Sequence, residues 1–141
     1  MTINAIVSMK TRQSVPGEES YDIEMMCDAE YKYTLGKSII RYNEPEGSGL
    51  GKTTTQIEIT DKTVILTRSG DNNSKMCFEN EGHYAGVYEM PFGMFSVNIN
   101  SKKVTISRDD NGAHIVLDYS MELEGVLASV NRLELDVKRK F

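Results

Sequence analysis

The sequence contains no Trp, three Pro, two His and two Cys in 141 residues, and positive charge is the minority sign. Cys27 and Cys77 are too few for a disulfide framework, and in a reducing compartment a buried free thiol is the commoner state. Together with His83 and His114 they are the only soft metal ligands, and none forms the close-spaced pair that a zinc site usually shows. No metal and no cofactor are expected. No Ser stands in a nucleophile-elbow pattern, so the sequence assigns no catalytic residue. The N-terminal residues alternate apolar with polar instead of giving the roughly 7 to 15 consecutive apolar residues of a signal peptide, and nothing later approaches the ~20 of a membrane span. A cytoplasmic protein without a membrane partner is the expectation. Lys and Arg number 16 against 21 Asp and Glu, a net charge of -5. A field of that sign repels phosphate backbones, which argues against nucleic acid as a partner.

What the sequence does have is period two. Tyr21, Ile23, Met25, Cys27, Ala29, Tyr31, Tyr33 and Leu35 are alternate positions, and of the residues between them only Met26 is apolar. Side chains of a strand point alternately to its two faces, so this stretch predicts a long strand with one buried and one wet face. Shorter alternations recur at Ile3 to Met9, Ser38 to Tyr42, Ile57 and Ile59, Val64 and Leu66, Met76 and Phe78, Phe95 to Ile99, Val104 and Ile106, Ile115 to Tyr119, and Leu127 to Val137. Turn residues separate them at Pro16-Gly17, Glu46 to Gly49, Thr60-Asp61, Gly70 to Asn73, Asn80 to Gly82, Asn100-Ser101 and Asp109 to Gly112. No stretch has convincing helical periodicity. The expected fold is a single all-β domain over residues 1–141, an antiparallel up-and-down barrel of about eight to ten strands. An open sheet would leave its apolar face in water, so the strands must stack as two sheets or close on themselves, and consecutive hairpins favour closure.

Two patterns imitate functional motifs. Gly47-Ser48-Gly49-Leu50-Gly51-Lys52-Thr53 looks like a phosphate-binding loop, but position 46 is Glu, and the β-branched residues that follow predict a strand where that loop needs a helix N-terminus. Asp22, Glu24, Asp28 and Glu30 share a strand face like a carboxylate pair of a glycosidase. If residues 13–18 turn the chain back, however, Lys10 and Arg12 fall opposite Glu24 and Asp22, and cross-strand pairing explains the charges. Lys138-Arg139-Lys140 reads as a solvated strand end.

Tyr42-Asn43-Glu44, Gly49 to Thr55, Arg68-Ser69-Gly70, Tyr88-Glu89-Met90-Pro91-Phe92-Gly93, Tyr119 and Asn131 occur in an order and spacing that resembles the YwiB-like bacterial family of small cytosolic proteins with a domain of unknown function. The resemblance spans nearly the whole chain and implies a calycin-like, lipocalin-resembling barrel. It brings no biochemical activity. The family pattern has hydroxyl residues where this chain has Met90 and Phe92, so no hydroxyl chemistry is carried over to those two points. Lipocalins and fatty-acid-binding proteins usually place a Trp near the start of their first strand. A chain without Trp resembles them in shape only, and ligand binding does not follow by analogy.

The leading functional expectation is a non-enzymatic binding module that holds a small molecule or short peptide in the barrel mouth or interior. Tyr42, Glu44, Arg68, Tyr88 and Asn131 are its polar candidates, and Met9, Met25, Met76, Met90, Met94 and Met121 its adaptable walls. The alternative is a solid core acting through an exposed surface or homodimer, for which Ile6, Met26, Ile39 and Ile65 fall out of step with the buried face. Monomer and homodimer both stay open. Arg68 shares a face with Val64 and Leu66, so it is expected inward, paired with Glu44 or in a network with Tyr42 and Tyr88.

Overall fold

The structure is a computed structural model and describes residues 2–140, with the backbone alone at Met90. Met1, Phe141 and the Met90 side chain, one of the expected methionine walls, lie outside the described residues. Ten strands are present: β1 (Thr2–Ser14), β2 (Tyr21–Tyr33), β3 (Ser38–Asn43), β4 (Thr53–Ile59), β5 (Thr63–Gly70), β6 (Asn73–Glu79), β7 (His83–Met90), β8 (Gly93–Asp109), β9 (Gly112–Leu123) and β10 (Val126–Arg139). Each pairs antiparallel with the next, and β1 pairs with β10 to close the barrel. Closure removes both sheet edges and gives the alternating apolar residues one common interior. Among the described residues, no helix is long and apolar enough to cross a membrane.

Every inward set named by the alternation contributes to the core: Val7, Tyr31, Ile40, Ile57, Ile59, Val64, Ile99, Ile115, Leu135 and Val137 are fully buried or nearly so. A side chain of this size gains roughly 1.5–3 kcal/mol on burial. The outer face follows the expected charge register, with Lys10 opposite Glu24 and Arg12 opposite Asp22. Asp22 takes both cations, Arg12 Nε at 3.5 Å and Lys10 Nζ at 4.0 Å, in pairs exposed enough that each is worth ~1 kcal/mol or less. Of the out-of-step apolar residues, Met26 is exposed on β2, whereas Ile6 on β1, Ile39 on β3 and Ile65 on β5 are half-buried. Ile39 and Ile65 flank Glu58 of β4.

Three strand expectations need correction. Leu35 does not continue the inward face of β2. The strand ends at Tyr33, where Thr34 and Lys37 close a turn by backbone hydrogen bonding, and Leu35 is 87% exposed. Asn100-Ser101 is not a turn. The two short strands expected on either side are one 17-residue strand, β8, bulged between Ser101 and Lys103 opposite β9. One extra residue there bends the strand and increases its local twist. The stretch from His83 to Met90, not expected as a strand, forms β7.

The meander places the loops after β1, β3, β5, β7 and β9 at one end of the barrel and those after β2, β4, β6 and β8 at the other. The second end is sealed. Tyr31 donates its hydroxyl proton toward the carbonyls of Asp109 (2.7 Å) and Gly112 (2.9 Å) and lies 3.0 Å from Ser38 Oγ, tying β2 to the β8–β9 turn. The first end is open.

Candidate functional site

The open end is built by one transverse row of inward residues. Pairing sets Tyr42 opposite Thr55, Thr55 opposite Arg68, Arg68 opposite Ser74, Ser74 opposite Tyr88 and Tyr88 opposite Phe95, one residue from each of β3 to β8. On the facing wall Asn131 of β10 stands opposite Tyr119 of β9. A half-turn of barrel wall therefore carries polar side chains into an otherwise apolar interior. Leu66 and Met76, themselves a cross-strand pair, lie next along the same strands toward the sealed end.

The row and its neighbours line a cavity of about 850 Å³, which opens between the β1–β2 hairpin, the β3–β4 loop and the β7–β8 hairpin. Met9, Met25, Met76 and Met121 form walls as expected, with Phe78, Phe95 and Leu123. Met94 instead points to solvent, 65% exposed. Tyr21 and Ile23 of the inward β2 set are about half exposed because they stand at the rim.

Glu44 enters from just beyond the end of β3 and is the most buried carboxylate of the mouth, with a side chain 3% exposed. Thr55 Oγ1 donates a short hydrogen bond to its Oε2, and Arg68 Nε lies 4.0 Å from the same oxygen. The expected Arg68 and Glu44 pair is thus present, held by charge and without a hydrogen bond. The Arg68 side chain is 16% exposed, its Nε is buried without a hydrogen-bond partner, and among the described residues the guanidinium donates no hydrogen bond.

The other candidates divide. Tyr88 lines the cavity and its hydroxyl accepts from Asn72 Nδ2 at 2.8 Å. Asn131 also lines it and donates Nδ2 to Ser129 Oγ at 2.9 Å. Tyr42 does not reach the cavity. It is buried in the core beside Thr55, where burial and the Glu44 charge raise its phenol well above the ordinary tyrosine range against the opposing pull of Arg68. The sequence motifs named Tyr119 without giving it a role, yet it meets the edge of Phe78 with ring centroids 4.8 Å apart. Burial pushes its phenol up to about 12, with Arg68 pulling the other way. Its signal was alternation with Ile115 and Leu117, which reads equally well as core.

The motif look-alikes are structural. Residues 44–52 form a loop that runs directly into β4, with no helix behind it. Lys52 exchanges backbone contacts with Asp71, donating its N–H to Oδ2 at 3.0 Å and accepting from Asp71 N at 3.1 Å. Gly70 is required there: its φ is +126°, and a Cβ would sit 2.2 Å from the Lys52 carbonyl. Among the described residues no three of His, Cys, Asp and Glu converge on a metal position. Cys27 and Cys77 are free and half-buried, and burial raises both thiols. Ser107, His114 and Asp136 share one outer row, with His114 Nδ1 3.5 Å from Asp136 Oδ1, but no hydrogen bond joins Ser107 to His114 among the described residues.

A family model described as a domain of unknown function (DUF1934) matches residues 7–135. No curated protein matches the chain. Among solved structures, the crystal structure of the ywiB protein from Bacillus subtilis is similar with a TM-score of 0.87 at 19% identity, covering 99% of this chain and 94% of that one. At that identity the likeness speaks for the fold.

Proposed function

Since the chain belongs to the DUF1934 family, which is defined only as a domain of unknown function, we propose from the geometry of the barrel that it is a non-enzymatic binding protein for a small molecule held in the open end. One observation carries this reading. Arg68 presents its guanidinium inside a cavity of about 850 Å³ without using any of its N–H donors on the described chain. An unpaired buried donor such as its Nε costs roughly 1–3 kcal/mol, and the other donors of the side chain remain available to an acceptor from outside the chain. An apolar pocket with a few convergent polar groups is the usual form of a small-molecule site. Glu44, Arg68, Tyr88 and Asn131 are the polar contacts of the proposed site, and Tyr42 backs it from the core. A calycin-like assignment and a cytosolic setting belong to the same proposal, the latter in keeping with two uncombined cysteines.

The reading is tested with Nile red, an uncharged dye whose emission rises in apolar surroundings. The expected result is saturable binding that Met121→Trp, which fills the mouth, removes while the far-ultraviolet spectrum is unchanged. Equal dye binding by both proteins, or no binding by either, defeats the proposal. Native mass spectrometry of freshly purified protein adds a second check, the retained mass being that of the natural ligand. Contact through the outer surface has less support, because only Met26 of the four out-of-step residues is exposed. Light scattering that gives twice the 15.9 kDa chain mass would favour that alternative.

A further inference from the structure

We propose that the ligand of this cavity is an uncharged molecule with an apolar body and a carbonyl-type hydrogen-bond acceptor, and is neither a carboxylate nor an amine. The inference rests on the small-molecule reading above and adds the charge and polarity of what is bound.

Charge balance comes first. Arg68 is the only cation among the described residues that line the cavity, and Glu44, 4.0 Å from its Nε, already opposes that charge. The lining holds no Lys, and Glu46 of the β3–β4 loop adds a further acid at the entrance. An entering carboxylate would lose its water, share one guanidinium with Glu44 and meet that further acid on the way in. An ammonium group would meet Arg68 inside, where Glu44 is 3% exposed and already accepts from Thr55, while Glu46 is exposed to water in the loop outside. Neither ion gains a full counter-charge.

Hydrogen-bonding capacity points the same way. The free donors are the Arg68 N–H groups, the proton of the Tyr88 hydroxyl, whose oxygen already accepts from Asn72, and the Tyr119 hydroxyl, which makes no hydrogen bond among the described residues. They outnumber the one neutral amide acceptor, Oδ1 of Asn131, whose Nδ2 is spent on Ser129. Donors that converge without net charge suit a carbonyl oxygen, which accepts two hydrogen bonds and costs far less to desolvate than an ion. The remaining volume is apolar. Leu66, Met76, Phe78 and Leu133 lie on the sealed side of the row, Phe95 ends it, and Met121 and Leu123 lie on its open side. Sulfur-containing and aromatic walls of this kind adapt to the outline of the body.

The test compares three probes of one chain length, octanamide, octanoate and octylammonium, as displacers of Nile red at pH 7 and low salt. Octanamide should bind at least tenfold more tightly than either ion. Glu44→Gln keeps the shape and the Thr55 contact but removes the opposing charge, so in that variant octanoate should gain at least tenfold and overtake the amide. Octanoate or octylammonium binding best to the unaltered protein overturns the inference and leaves the cavity reading standing. An unchanged order of affinities in Glu44→Gln also overturns it. If Nile red binds and none of the three displaces it, the acceptor assignment fails. If Nile red itself does not bind, the failure lies with the small-molecule reading.

Discussion

The Arg108 guanidinium lies over the Tyr33 ring, 5.1 Å from its centroid, and seals the end of the barrel opposite Arg68. Its Nη1 donates to Thr34 O at 2.7 Å and Ser38 Oγ at 3.2 Å, and its Nη2 to Leu35 O at 2.6 Å and Asp61 Oδ1 at 3.2 Å. These contacts fasten the β2–β3 turn to β8 and to the turn after β4. The two ends therefore differ at the terminal nitrogens: Arg108 spends both on its own chain and leaves only its Nε unpaired, whereas Arg68 spends neither among the described residues. Arg108→Leu removes donors from two turn carbonyls and a cation from an aromatic face. A loss of about 2–4 kcal/mol is expected in urea unfolding, and a midpoint unchanged from the parent protein would contradict this account.

Arg68 is expected to matter for stability only through Glu44. Arg68→Met alone leaves a carboxylate that is 3% exposed with a single hydroxyl donor, at a cost of about 3–5 kcal/mol. Arg68→Met with Glu44→Gln should recover most of that loss, since replacing both partners of a buried pair is often close to neutral. Urea midpoints of the two variants check the order. A double variant as unstable as the single one would show that Arg68 holds the fold by packing.

Burial raises the phenols of Tyr31, Tyr42 and Tyr119, the last to about 12. Below pH 10 both the folded and unfolded chains keep these protons. Between pH 10 and 12 the folded chain keeps the Tyr119 proton while the unfolded chain loses it, so stability falls as pH rises through that window, at about 1.4 kcal/mol per unit. For Tyr119 the loss reaches roughly 3 kcal/mol by pH 12. Absorbance at 295 nm should therefore show part of the tyrosine signal delayed beyond the ordinary tyrosine range until the protein unfolds, and Tyr119→Phe should shrink the delayed part. A single step near pH 10 in folded protein would refute the assignment.

The wall has one weak seam. Among the described residues β6 and β7 share only the pairs Asn73 with Glu89 and Ser74 with Tyr88, although the same register extended would reach the turn at residues 80–82. β5 and β6 are paired along the whole of their contact, from Thr63 with Glu79 to Arg68 with Ser74. Amides of residues 75–79 that face β7 should exchange with solvent far faster than those of β9 and β10, because local opening breaks no ladder there. Hydrogen exchange followed by nuclear magnetic resonance measures this directly. Equal protection across β6, β9 and β10 would show the seam to be closed in solution.

Alternation made the barrel legible. A strand buries one face in two, so Tyr21 to Tyr33, Val64 with Leu66 and Leu133 to Val137 announce both the element and the side that turns inward, and turn residues between them limit the topology to a meander. The same logic placed Arg68 inside, and the family-like motif Tyr42-Asn43-Glu44 supplied its carboxylate partner. Local pattern failed where a longer-range contact decides. Asn100-Ser101 has the composition of a turn, but β9 pairs across it and turns the irregularity into a bulge within one strand. Tyr84, Gly86 and Tyr88 alternate too weakly to announce β7, which exists because β8 supplies its ladder.

The amino-acid sequence by itself determined that this chain is all-β, that one face of its sheet must be covered, and which residues of most strands face the interior, because those properties depend on neighbours two positions apart. Only the tertiary structure decided that the barrel is sealed at one end and open at the other. That outcome depends on residues far apart in the chain: Arg108 reaches the turn after Tyr33 and Asp61, and Tyr31 reaches the carbonyls of Asp109 and Gly112. The open end likewise comes from register. Thr55, Arg68, Ser74 and Tyr88 stand in one row only because four strands pair at particular offsets. Pairing offsets are set by turn geometry and packing along the whole wall, and no short stretch of sequence carries them.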